Sequence, residues 1–124
     1  MTQMLFQDIV QECRQKLLQM KQDLLNRSRA IRAEFAMNDK NVGDEADQTV
    51  AQLAENHYLT AQERMRNQLM EIESALGRIE NGNFGICEET DEPIEHNRLL
   101  AIPYTRLSIE GAEIRDAARR KFAR

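Results

Sequence analysis

Cys87 stands three residues before Thr90, and Ser108 three residues before Gly111. Two tight knuckles spaced in this way are how a chain offers four ligands to tetrahedral zinc, which takes sulfur or imidazole. Here only Cys87 supplies a thiolate. Thr90 and Ser108 are poor zinc ligands, and Gly111 has no side chain. The spacing of a four-thiolate site is kept while its donors are gone, so neither zinc nor any other cofactor is expected. His96 could join Cys87, Asp91 or Glu95 in an irregular site, but a lone histidine in an acidic, loop-rich stretch is ordinarily solvated. No second cysteine lies near Cys87 for thiol–disulfide exchange.

The second group with chemical potential is acidic. Asp44 and Asp47 are three residues apart and share a face once helical. Paired carboxylates can hydrolyse glycosides, but they need a cleft, and the segment around them reads as the tip of a slender hairpin without walls. An enzyme is therefore not expected. The simplest role for Asp44 is to cap the helix that follows, with Asp47 in its first turn against the positive end of the dipole. That role leaves one carboxylate oxygen free for another.

The elements that hold these groups are long helices. From Phe6 to Phe35 the apolar positions step by three and four: Phe6, Val10, Cys13, Leu17, Met20, Leu24, Ile31, Phe35, with a break at Arg27 and Ser28. A second series runs Val50, Leu53, His57 or Tyr58, Ala61, Met65, Leu69, Ile72, Leu76, Ile79. Both have the period of an amphipathic helix, and His57 is expected to pack. Asn38, Asp39, Asn41, Gly43 and Asp44 between them are turn and cap residues, and Asn81-Gly82 reads as a helix stop. Two such seams predict an antiparallel helical hairpin, each arm roughly 50 Å long at 1.5 Å per residue. The resulting division is residues 1–81 as the hairpin with its tip near 38–49, residues 82–111 as a small head, and residues 112–124 as a basic C-terminal helix. The fold class is all-α dominated. Without a metal the head must cohere through Phe84, Ile86, Ile94, Leu99, Leu100, Ile102, Tyr104, Leu107 and Ile109. About six such side chains buried at ~1.5–3 kcal/mol each are of the order that a structural zinc supplies, ~10–16 kcal/mol.

Composition agrees with helices of narrow apolar stripe: 124 residues, 41% hydrophobic, 31% charged and no Trp. The net charge of −4 does not favour nucleic acid. Two distant cysteines, Cys13 and Cys87, suit a reducing compartment. The N-terminus lacks the pattern of a secretory signal, and no apolar run is long enough to cross a bilayer. A cytoplasmic protein is expected.

The run GRIENGNFGICEETDEPIEHNRLLAIPYTRLSIEGAE resembles the C-terminal module of the DksA/TraR family, bacterial proteins that bind RNA polymerase. The family pattern is Gly-x-Cys-x-x-Cys, then Arg-Leu-x-Ala-x-Pro, then Cys-x-x-Cys. Gly85, Cys87, Pro93, Ile94, Arg98, Leu99, Ala101, Pro103 and Tyr104 match it in order. Upstream, Asp44-Glu-Ala-Asp47-Gln-Thr49 resembles the family's Asp-x-x-Asp-x-Ala tip, with Thr49 as a departure that adds bulk. The resemblance implies a transcription regulator that binds RNA polymerase directly and reads no promoter DNA. Its tip residues Asp44, Asp47 and Thr49 would enter the secondary channel and approach the active centre. It marks Cys87, Thr90, Ser108 and Gly111 as vestigial zinc-ligand positions. Positions where family members that respond to the alarmone ppGpp carry a basic residue are Ile102 and Ala112 here, so weakened alarmone dependence is expected.

Arg115, Arg119, Arg120 and Lys121 crowd the C-terminal helix. They can complement its dipole, dock on an acidic rim of the polymerase, or bind DNA, which the acidic remainder of the chain disfavours. Docking is the reading adopted, with no membrane partner and a monomer expected. The competing class is an adaptor whose hairpin pairs with another hairpin in a homo- or hetero-oligomer.

Overall fold

The protein is represented by a computed structural model that describes residues 5–39 and 45–122. Four helices occur among them: α1 (Phe6–Asp39), α2 (Glu45–Asn81), α3 (His96–Ala101) and α4 (Ile109–Phe122). Neither α1 nor α2 contains a proline, so nothing removes a backbone donor or breaks either ladder. α2 stops at the predicted place. Gly82 takes φ +79°, a conformation costly for any residue with a Cβ. The Asn83 N–H then donates to Arg78 O at 3.1 Å and the Gly82 N–H to Ile79 O at 3.3 Å, which satisfies two of the carbonyls left over at a helix end. α4 begins at Ile109, inside the stretch read from sequence as head, and the short α3 lies within that head. Among the described residues no helix is long and apolar enough to cross a membrane.

By contacts the chain forms two compact units, Met1–Gln19 with Ile72–Arg124, and Met20–Glu71. The grouping cuts across the hairpin that the sequence presents as one element, and it joins the head and α4 to one part of it.

In the first unit the core is continuous. Ile9, Cys13 and Leu17 of α1 and Ile72 and Ala75 of α2 are buried, together with Phe84, Cys87, Ile94 and Leu99 of the head. Two polar ties reinforce this packing at the C-terminal end of α3. The Cys13 thiol donates to Leu99 O at 3.4 Å and the Lys16 ammonium to Leu100 O at 2.8 Å, so carbonyls that lack a helical partner find one on α1. Burial pushes the Cys13 thiol pKa up, against the opposing pull of Lys16. Of the nine candidates named from sequence for the head core, of which about six were expected to be buried, six are at least half-buried. Phe84, Ile94 and Leu99 are buried, Leu100, Ile102 and Leu107 half-buried, and Ile86, Tyr104 and Ile109 exposed. A loop-rich module of this length has too little interior to enclose every apolar side chain it carries.

The second unit is a bare helix pair. Partner numbers rise along α1 as they fall along α2, as antiparallel packing requires: Leu24 with Met65 and Leu69 around a cavity of about 150 Å³, Ser28 with Gln62, and Phe35 with Tyr58. The break at Ser28 is a polar layer in which the Ser28 hydroxyl donates to Gln62 Oε1 at 3.1 Å, while the buried Gln62 Nε2 lacks a hydrogen-bond partner. The Phe35 and Tyr58 rings stack at 4.2 Å. Tyr58 thus takes the seam position, and His57, expected to pack, is exposed. Val50 and Leu53, also placed on the seam, are exposed, as is Met37. With large apolar side chains left in solvent on both helices, burial here rests on Leu24 and Met65, with the half-buried aromatic stack beside them.

Candidate functional site

The first knuckle is built by a tight return of the backbone. Ile86 and Pro93 face each other in an antiparallel bridge. The Ile94 N–H donates to Gly85 O and the Cys87 N–H to Glu92 O, both at 2.8 Å. Between them the Asp91 N–H reaches Cys87 O at 2.9 Å, with Asp91 at φ 58°, a left-handed turn position that Asp tolerates better than most residues. The second knuckle is joined to the first by a Glu88 N–H donation to Arg106 O at 2.9 Å. Arg98 braces it by donating its Nε–H to Leu107 O at 2.8 Å.

These returns bring the four vestigial positions together around the sulfur of Cys87, which is fully buried. The Ser108 hydroxyl donates to Cys87 Sγ at 3.4 Å. Thr90 bonds the same sulfur, and its Oγ1 accepts from the Glu92 N–H at 3.3 Å. Burial opposes ionisation of Cys87, but the side-chain and backbone hydrogen bonds from Ser108 and Thr90 outweigh it and bring the pKa down to about 6. At Gly111 a Cβ would overlap the Cys87 sulfur and crowd Ser108 Oγ at 3.3 Å.

The family pattern implies zinc at these positions, and the residues present do not fit it. One sulfur and two hydroxyls fall short of the donors a tetrahedral zinc requires. The Cys87 sulfur leans into the space that a side chain at 111 would need. Among the described residues no three of His, Cys, Asp and Glu gather as a metal would need. His96 is exposed and lies beside the Phe6 ring, centroids 5.8 Å apart. The site instead does local structural chemistry.

Ser108 also has a role that the zinc reading hid. It precedes α4, and its Oγ accepts the Gly111 N–H at 3.0 Å, the bond of a helix N-cap. The Glu95 carboxylate accepts the Ile109 N–H at 3.2 and 3.3 Å, so negative charge meets the positive end of the α4 dipole. The serine before a helical run was a visible signal for the cap. Glu95, fourteen residues from Ile109, left no trace in local pattern.

The basic residues of α4 separate into two groups. Arg115 is engaged, its Nε 3.0 Å from Glu89 Oε2 and its Nη2 3.3 Å from Glu88 Oε2. Arg119, Arg120 and Lys121 are exposed in the last turn. Between α1 and α2, Asp44 lies outside the described residues. Asp47 and Thr49 belong to the start of α2, with Thr49 exposed.

A family model, the prokaryotic dksA/traR C4-type zinc finger, matches residues 82–117. The RNA polymerase-binding transcription factor DksA of Caulobacter vibrioides is 36% identical over 100 residues, covering 81% of this chain and 70% of that protein. The chain belongs to the DksA/TraR family. Its fold agrees: the structure of transcription factor DksA2 from Pseudomonas aeruginosa superposes with TM-score 0.82 at 32% identity, covering 90% of this chain and 86% of that one. The RNA polymerase binding protein and transcriptional regulator Dks of Chlamydia trachomatis, at 21% identity and TM-score 0.51 over 94% and 95% of the two chains, shares the fold. Measured against the C4-type finger of the family model, this chain keeps one of the four cysteine positions, Cys87, and carries Thr90, Ser108 and Gly111 at the others.

Proposed function

We propose that this protein is a transcription regulator that binds RNA polymerase directly, is not an enzyme, and reads no promoter sequence. What carries this reading is the match to a polymerase-binding factor over most of both chains, joined to a fold match with a second transcription factor of the family. In this reading Arg119, Arg120 and Lys121 contribute a docking surface, with Arg115 retained by its own head. The hairpin tip enters the secondary channel and sets Asp44 and Asp47 near the active centre. Thr49, exposed at the start of α2, lies where it meets the channel wall. The head works without zinc, because thiolates are missing at Thr90, Ser108 and Gly111 and the Cys87 sulfur takes the space that a Cβ at 111 would need. Ile102 and Ala112 leave the junction short of the cations that alarmone phosphates need.

Pull-down with core polymerase is the primary test, and failure to bind would end this reading. Transcription with the Asp44→Asn, Asp47→Asn chain tests the tip: binding is expected to persist while the regulatory effect falls, and normal regulation would overturn the tip assignment. The exposed Val50 and Leu53 give the adaptor alternative its foothold. A stable dimer in light scattering, combined with indifference to polymerase, would favour it.

A further inference from the structure

Glu88 and Glu89 fill the two places between Cys87 and Thr90, so they ride on the first knuckle. Arg106 lies two residues before Ser108 on the second, and Arg115 lies on α4. The four side chains meet. Arg106 Nη1 is 2.8 Å from Glu88 Oε1, Arg115 Nη2 is 3.3 Å from Glu88 Oε2, and Arg115 Nε is 3.0 Å from Glu89 Oε2. Arg106 Nη2 also donates to Ser74 Oγ on α2 at 2.8 Å. Glu88 therefore accepts two guanidinium groups, one on each carboxylate oxygen, while its own N–H holds Arg106 O.

We propose that this carboxylate–guanidinium clasp is the cross-link of the head. It joins the first knuckle, the second knuckle, α2 and α4 in the way a metal would join two knuckles, and so makes the hold on α4 depend on ionic strength instead of metal supply. The proposal rests on the metal-free reading of the head. Each pair alone is weak: the side chains are 32–39% exposed, and an exposed pair shifts a local equilibrium by no more than roughly fivefold. Three bonds sharing Glu88 and Arg115 act together, since placing one guanidinium pre-positions the carboxylate for the next. Their effect falls on α4, because Arg115 is nearly two turns inside that helix and its partners Glu88 and Glu89 belong to the head. Exposure also leaves the clasp open to counterions, which screen within about 3 Å at about 1 M salt.

The test is hydrogen exchange on the full chain at about 0.1 M and about 1 M salt, with zinc content measured on the same sample. In the native chain, amides of α4 near Arg115 should exchange roughly threefold to tenfold faster at high salt, while α1 amides from Ile9 to Leu17 stay constant. The isosteric E88Q/E89Q chain should show the fast α4 rate at both salt levels. Salt-indifferent α4 exchange, equal in both chains, would overturn the clasp. About one zinc per chain would overturn the metal-free reading beneath it, whatever α4 does.

Discussion

The two compact units are built from the same pair of helices and held by different means. Of the eleven buried apolar residues among those described, nine lie in Met1–Gln19 with Ile72–Arg124, and two, Leu24 and Met65, in Met20–Glu71. The first unit adds hydrogen bonds from side chain to backbone, ion pairs and helix caps. Among the described residues the second shows an aromatic stack and a polar layer in which the Gln62 Nε2 is unsatisfied, beside side-chain contacts along its own helices. An apolar stripe of fixed width stabilises a helix only in proportion to what it meets. Where the stripe of α1 meets a head it becomes a core, and where it meets a single partner helix it remains a seam.

The sharpest way to break this comparison is at Leu99, which is fully buried and whose carbonyl takes the Cys13 thiol. Leu99→Ala should cost ~2–5 kcal/mol in denaturant unfolding. A loss within about 0.5 kcal/mol, the size expected of a surface change, would mean the head is no core at all.

Gly111→Ala comes next. The new Cβ displaces the Cys87 sulfur, at ~1–3 kcal/mol for overpacking, partly offset by up to ~1 kcal/mol of better helix propensity. Adding Cys87→Ala removes the overlap and should recover stability relative to the single variant. If the pair is additive, the crowding is not real.

Cys87 provides a smaller, pH-dependent term. Its folded pKa of about 6 lies below its ordinary 9.0, so between these values the unfolded chain holds more protons and stability rises with pH. The contribution is complete above about 9 and is lost as pH falls through about 6. From pH ~6 to ~7 the gain is below ~1.4 kcal/mol. Unfolding midpoints across this range should carry that slope in the native chain and not in Cys87→Ala. Equal slopes would refute it.

The smallest effect is expected in the bare helix pair, and its sign is reversed. Replacing Ser28 by Ala and Gln62 by Leu together removes a hydrogen-bonded pair along with the unpartnered Gln62 Nε2, and such double replacements are nearly neutral or mildly stabilising, within ~1 kcal/mol. A loss comparable to that of Leu99→Ala would show that the polar layer holds the pair together and that the two units are not so different.

The helical period, the stop at Gly82, and the family itself were legible from sequence, because each depends on neighbours within a few residues or on a fixed motif spacing. The missing zinc donors were legible for the same reason. The helix phase that chose Tyr58 over His57 was not, since either fits a step of three or four and only the Phe35 ring decides between them. Neither was the exposure of Val50 and Leu53, which depends on what another helix presents.

At the knuckles, sequence alone determined which atoms are available: one sulfur, two hydroxyls, a bare Cα. Tertiary structure decided their use. Ser108 became a helix cap, the Cys87 sulfur took the space beside Gly111, and Glu88 met arginines eighteen and twenty-seven residues away. Hydrogen bonds and ion pairs act over a few ångströms of space, and the sequence records separations only along the chain.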